Sequence, residues 1–121
     1  MQRTPLDGLI VLLVENDPII ALDVFQTLTD AGAAVIGPAY TVAAAIDFID
    51  RRDFDVAVLD FRLETQTATP IAERLFRQRR PFLFHTSSRE AADAHPGVVL
   101  VNKPSRPEQH IAAVARVAGK P

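Results

Sequence analysis

FDVAVLDFRL, residues 54–63, decides the fold. Its apolar run of Val56, Ala57, Val58 and Leu59 delivers one acid, Asp60, at its end. A strand with one wet face alternates polar and apolar residues. An unbroken apolar run is therefore a strand covered on both faces, as in a parallel sheet. Asp60 then stands at the strand's carboxyl end, where open α/β sheets keep their chemistry.

The same pattern recurs on either side. Residues 9–14 form an apolar run ending in Glu15-Asn16-Asp17, followed by Pro18, which suits the first turn of a helix capped by Asn16 or Asp17. Ala21, Leu22, Phe25 and Leu28 repeat at helical spacing until Gly32 stops the helix. Residues 34–36 are a second short strand, closed by Gly37-Pro38. Thr41 caps a helix whose face is Val42, Ile46 and Ile49. After Asp60, residues 61–69 read as a polar loop, with Thr69-Pro70 as cap and first turn of a third helix buried through Ala72, Leu75 and Phe76. Residues 81–84 and 98–101 are the fourth and fifth strands, ending near Thr86-Ser87 and at Lys103-Pro104. Between them, residues 88–95 hold only a short helix. Pro107 opens a last helix with Ile111, Val114, Ala115 and Ala118 on one face.

Five strands alternating with helices predict an α/β fold, a doubly wound parallel sheet with helices on both faces and a short or irregular fourth helix. Right-handed crossovers favour the flavodoxin-like order 2-1-3-4-5. At 121 residues the chain is expected to be one domain, with residues 1–7 as a leader and no output domain. The net charge of −2 makes no electrostatic case for nucleic acid. There is no cysteine, hence no disulfide or thiolate metal site. No apolar run approaches the length needed to insert in a membrane, and no signal-peptide pattern opens the chain, so a cytoplasmic location is expected.

In the predicted order, the ends of strands 1, 3, 4 and 5 bring Glu15, Asn16 and Asp17 to Asp60, with Thr86, Ser87 and Lys103 beside them. Oxygen donors with one or two carboxylates suit Mg²⁺. A cation and a hydroxyl around a carboxylate suit phosphoryl transfer, which needs positioning and charge neutralisation more than acid–base help.

The whole chain resembles the receiver domain of two-component response regulators. The resemblance rests on VLLVEND (11–17), VAVLDFRL (56–63), Thr86-Ser87 and Lys103-Pro104, each at a strand end. Residues 81–88, PFLFHTSS, also resemble in part the PFxFATGY motif of the FAT GUY group of single-domain receivers. Pro81, Phe82, Phe84 and Thr86 agree, while His85, Ser87 and Ser88 differ.

The resemblance implies that Asp60 is the phosphoacceptor, taking phosphoryl from a sensor histidine kinase and signalling to a downstream protein or phosphotransfer partner. Such a protein is not a conventional enzyme, though it dephosphorylates itself slowly. Glu15, Asn16, Asp60 and the Arg62 backbone carbonyl would hold Mg²⁺ or Mn²⁺, with Asp17 able to help. Thr86, Ser87 and Lys103 would contact the phosphoryl group, and Pro104 would follow a cis peptide bond. Asn16 replaces a usual metal-ligating acid, so metal should bind weakly. Leu100 replaces the usual switch aromatic, and Ser105 stands where an aromatic is common. The alternative is a receiver-fold interaction module whose phosphorylation Asn16 has impaired.

Two enzyme classes fit poorly. A haloacid dehalogenase-type phosphatase needs an acid where Arg62 stands, and an FMN carrier would be repelled by Glu15-Asn16-Asp17. Several residues also have plain structural readings. Asp17 and Thr86 could serve as a helix cap and a backbone partner. His85 is expected to be half-buried, and His95 and His110 to lie on the surface. Arg51-Arg52 and residues 77–80 are expected to be solvated, the latter able to dock an acidic partner. Phe25, Phe76, Phe82 and Phe84 are expected in the core.

Overall fold

The computed structural model describes residues 4–119. Five strands, β1 (Ile10–Val14), β2 (Ala34–Ala39), β3 (Val56–Leu59), β6 (Phe82–Thr86) and β7 (Leu100–Asn102), form one parallel sheet in the order β2-β1-β3-β6-β7. This is the expected doubly wound topology. A hairpin of β4 (Arg62–Leu63) and β5 (Gln66–Thr67) lies outside the sheet.

Successive strand residues point to opposite faces, and the sequence supplies apolar residues to both. Leu12, Val14, Leu59 and Phe84 pack with α2 (Val42–Arg51) and α3 (Thr69–Arg77). Val11, Leu13, Val58 and Leu83 pack with α1 (Pro18–Asp30) and α5 (Pro107–Val117). The chain runs from β1 outward to β2 and then back past β1 to β3. With crossovers of one hand, that reversal puts the helices on opposite faces. It also opens the crevice between the ends of β1 and β3.

α4 (Arg89–Ala94) is short, as expected. β2 runs past its predicted end to Ala39 because its register against β1 shifts at a cis Gly37–Pro38 peptide. Gly37 has φ +98°, and a Cβ there would lie 2.7 Å from the Leu13 carbonyl oxygen, so no larger residue fits.

Several expectations are corrected. Residues 61–69 are not a solvated polar loop. Phe61, Leu63 and Ala68 are buried, and the Ala68 N–H donates to the Phe61 carbonyl at 2.7 Å, closing the β4–β5 hairpin over the core. That closure sets the start of α3, so Ala68 and not Thr69 is the cap residue. The Thr69 hydroxyl instead lies 3.0 Å from His95 Nε2. His95, expected on the surface, is half-buried: its ring packs on Phe61 and Phe84. The fourth and fifth strands each lie one or two residues later than predicted.

Phe76 is 77% exposed because Ala72 and Leu75 already turn the apolar stripe of α3 inward. Arg80 is not a free helix-end cation. It donates to the carbonyls of Ile49 and Arg52 and stacks on Phe54, with the guanidinium carbon 3.7 Å from the ring centroid. Of the expected leader, residues 1–3 lie outside the described residues, while Leu6 is fully buried and its N–H donates to the Ala31 carbonyl.

Candidate functional site

Three parallel strands end at one crevice. β1 runs into Glu15, whose N–H donates to the Ala39 carbonyl at 3.0 Å, and β3 runs into Asp60, whose N–H donates to the Val14 carbonyl at 2.9 Å. β7 runs into Lys103, whose N–H donates to the Thr86 carbonyl at 3.1 Å. Continued pairing just past the strand ends holds each of these residues at a set height.

The charges meet between the strands. Lys103 Nζ donates to Asp60 Oδ2 at 2.9 Å and makes an ion-pair contact with Glu15 Oε1 at 2.6 Å. Glu15 is 2% exposed and Asp60 6%. Glu15 Oε2 accepts from the Asp17 N–H at 3.2 Å. A cleft lined by Asn16, Asp17, Arg62, Thr86 and Ser87 reaches the two carboxylates and the ammonium. Asn16 is half-buried at its edge.

Asp17 caps α1: its Oδ1 accepts from Ile19 N–H at 2.9 Å and Ile20 N–H at 3.3 Å. The Thr86 hydroxyl accepts from the Ser88 N–H at 3.2 Å, at the start of α4. Arg62 side chain pairs with Glu90 of α4 across the cleft. The Lys103–Pro104 peptide is cis. Leu100 is half-buried on the edge strand β7, packed against the core on the α3 side.

Burial, and then the hydrogen bond with Asp60, push the Glu15 carboxyl up to about 7, against the opposing pull of Lys103. Burial alone would lower the Lys103 ammonium, but Glu15 and Asp60 outweigh it and raise it. Glu15 therefore retains a proton in the folded chain at pH values where the unfolded chain has lost it. Its contribution to stability is full below about 4.5 and is lost as pH rises through about 7. In metal-free buffer, Glu15→Gln is expected to be more stable than wild type at pH 8, by on the order of 3 kcal/mol, and equal to it at pH 4. Denaturant melts at both pH values read this, and a Gln variant weaker at pH 8 would contradict the assignment.

The oxygen donors that line the cleft are the two carboxylates of Glu15 and Asp60 and the amide of Asn16. That is a hard-cation set of the kind Mg²⁺ uses with waters. Among the described residues no three His, Asp or Glu side chains are grouped to hold a metal. The residues fit a weakly held Mg²⁺.

One cluster was not read from the sequence. His85 and His110 are 5% and 4% exposed, and Ser105 lies between their rings. His110 is thus not a surface residue. It precedes the buried Val114 by one helical turn, the spacing that marks the inward face of α5. That spacing was legible; the meeting with β6 was not.

No family model matches the chain, and no curated protein matches it. Solved structures do. The response regulator PhyR from Brucella abortus is 23% identical over 92% of this chain, with TM-score 0.81, and the match spans 48% of that chain, about half its length. A response regulator receiver protein from Sinorhizobium medicae is 26% identical, with TM-score 0.80, covering 94% of this chain and 97% of that one. The non-phosphorylated HemR receiver domain from Leptospira biflexa is 24% identical, with TM-score 0.79, covering 94% and 97%. No helix among the described residues is long and apolar enough to cross a membrane. The five-stranded parallel sheet with helices on both faces is thus the fold of a response regulator receiver domain.

Proposed function

We propose that this chain is a phosphoacceptor receiver. Asp60 attacks a phosphohistidine of a sensor kinase, an O–P bond forms as the N–P bond breaks, and the histidine nitrogen leaves. The observation that carries the reading is the Lys103 ammonium, held 2.6 Å from Glu15 and 2.9 Å from Asp60 at the open end of the sheet. Asp60 is the one acid of the pair that ends the central strand β3, and it faces the cleft.

The chain's own residues divide the work. Lys103 neutralises charge that develops on the phosphoryl oxygens. Thr86 and Ser87 line the cleft where those oxygens would lie, Thr86 as a hydroxyl donor. Glu15, Asp60, Asn16 and the Arg62 carbonyl would hold Mg²⁺, which when bound supplies charge neutralisation between nucleophile and phosphoryl group. Water then slowly hydrolyses the acyl phosphate. The partial agreement of residues 81–88 with PFxFATGY supports placing the chain near the FAT GUY receivers, and a downstream protein or phosphotransfer partner would read the phosphorylated state. A cytoplasmic setting belongs to the same reading, since the kinase domain of a sensor would meet its receiver there.

The test is intact mass after incubation with acetyl phosphate, with and without Mg²⁺. A metal-dependent gain of one phosphoryl group supports the receiver. No gain in a folded chain would favour the second reading, an interaction module impaired by Asn16. The same residue yields a titration test. Asn16→Asp is expected to tighten Mg²⁺ binding on the order of tenfold, because the charge of the ligand set tunes affinity. An unchanged titration would mean that the neutral amide was not limiting.

A further inference from the structure

We propose that Ser105, hydrogen-bonded between His85 and His110, is a positioning residue that holds Lys103 in register with Asp60. The proposal rests on the phosphoacceptor reading and extends it to a layer behind the site.

Lys103 carries its charge on a flexible four-carbon stem, so its aim depends on the backbone beneath it. That backbone is pinned on one side by its bond to the Thr86 carbonyl. On the other side β7 has ended at Asn102, and α5 begins only at Pro107. Pro104 has no N–H, and the Arg106 N–H is taken by Gln109 Oε1 within the helix cap. Among the described residues, the tie between this segment and the sheet is the Ser105 side chain.

Ser105 Oγ lies 3.2 Å from His85 Nε2 and 2.6 Å from His110 Nε2. The rings meet edge to face, with centroids 4.1 Å apart. One hydroxyl donates to one ring and accepts from the other, which requires the accepting ring to be neutral. Burial, with His110 and Lys103 beside it and Asp60 opposing, lowers His85 to about 3. Burial also lowers His110, with Asp23 of α1 opposing and Lys103 assisting. His85 adjoins Thr86 on β6, so Ser105 is anchored to the strand that receives the Lys103 N–H. The short Ser105–His110 contact is not a nucleophilic dyad, because His110 Nδ1 is buried with no third group to orient it.

The experiment compares wild type, Ser105→Ala and Ser105→Thr by Mg²⁺-dependent phosphoryl uptake from acetyl phosphate, thermal melting, and the ¹⁵N signal of the Lys103 ammonium. In Ser105→Ala, uptake is expected to slow about tenfold, since small misplacements of a charge-neutralising group are felt strongly in phosphoryl transfer. The melt should fall by several degrees, because the buried His85 and His110 Nε2 atoms lose their partner, so the ammonium signal rather than the melt reads the positioning role. The exchange-protected ammonium signal should disappear, and threonine, which keeps the hydroxyl, should restore signal and rate. Wild-type rate and signal in the alanine variant would overturn the proposal. So would a slow rate with an intact ammonium signal. If wild type accepts no phosphoryl group, the receiver reading fails, and the ammonium signal alone decides the positioning role.

Discussion

Asp60→Asn is expected to abolish phosphoryl uptake while leaving the chain folded. The amide keeps the shape of the side chain and its place at the end of β3, where the backbone N–H is bonded to Val14. It loses the anionic oxygen that forms the O–P bond. The two neighbouring carboxylates are not expected to take over: the Glu15 carboxyl is pushed up to about 7 and so largely holds its proton, and Asp17 is committed to the first turn of α1. The fold should survive because the substitution removes a charge from a crowded pair. Asp60 is among the groups that push Glu15 up to about 7, so the variant should let Glu15 ionise more readily beside Lys103. Intact mass and a melt in the same buffer read both expectations. Labelling of the variant at the wild-type level would remove Asp60 from the role.

Lys103→Ala should slow phosphoryl uptake by about 10²–10³-fold, the usual loss when one preorganised charge-stabilising group is removed. Its effect on stability should depend on pH. At pH 8 the variant leaves two buried carboxylates with no cation between them, an arrangement that costs about 3–5 kcal/mol. At pH 5 Glu15 already carries a proton, and the loss should be smaller, confined to the Asp60 pair. The sign follows from Glu15: without Lys103 its carboxyl moves further above about 7, so folded stability falls more steeply as pH rises. Denaturant melts at the two pH values separate the readings. Equal losses at both would make Lys103 a packing residue rather than a counter-charge.

Local patterns were enough for the sheet. The runs before Glu15 and Asp60 lack polar residues on either face, those before His85 and Asn102 are apolar too, and only a parallel sheet covered by helices buries such runs. The reduced α4 was legible too, because the stretch between Ser88 and His95 has room for little more than one turn. Misreadings came where polarity and position disagree. The polar hairpin tip hides the buried Phe61, Leu63 and Ala68, which tie that loop to the core. Phe76 is apolar but sits one step off the inward stripe of α3.

By itself, then, the sequence determined the topology and the acids and lysine at the strand ends. These follow from periodicity and from residue identity, which are local properties. Only the tertiary structure decided that Lys103 bridges Glu15 and Asp60, that Glu15 is pushed toward neutrality, and that His85, Ser105 and His110 close behind them. Those depend on distances and burial among β1, β3, β6, β7 and α5, segments far apart in the chain whose electrostatics exist only once water has been excluded from between them.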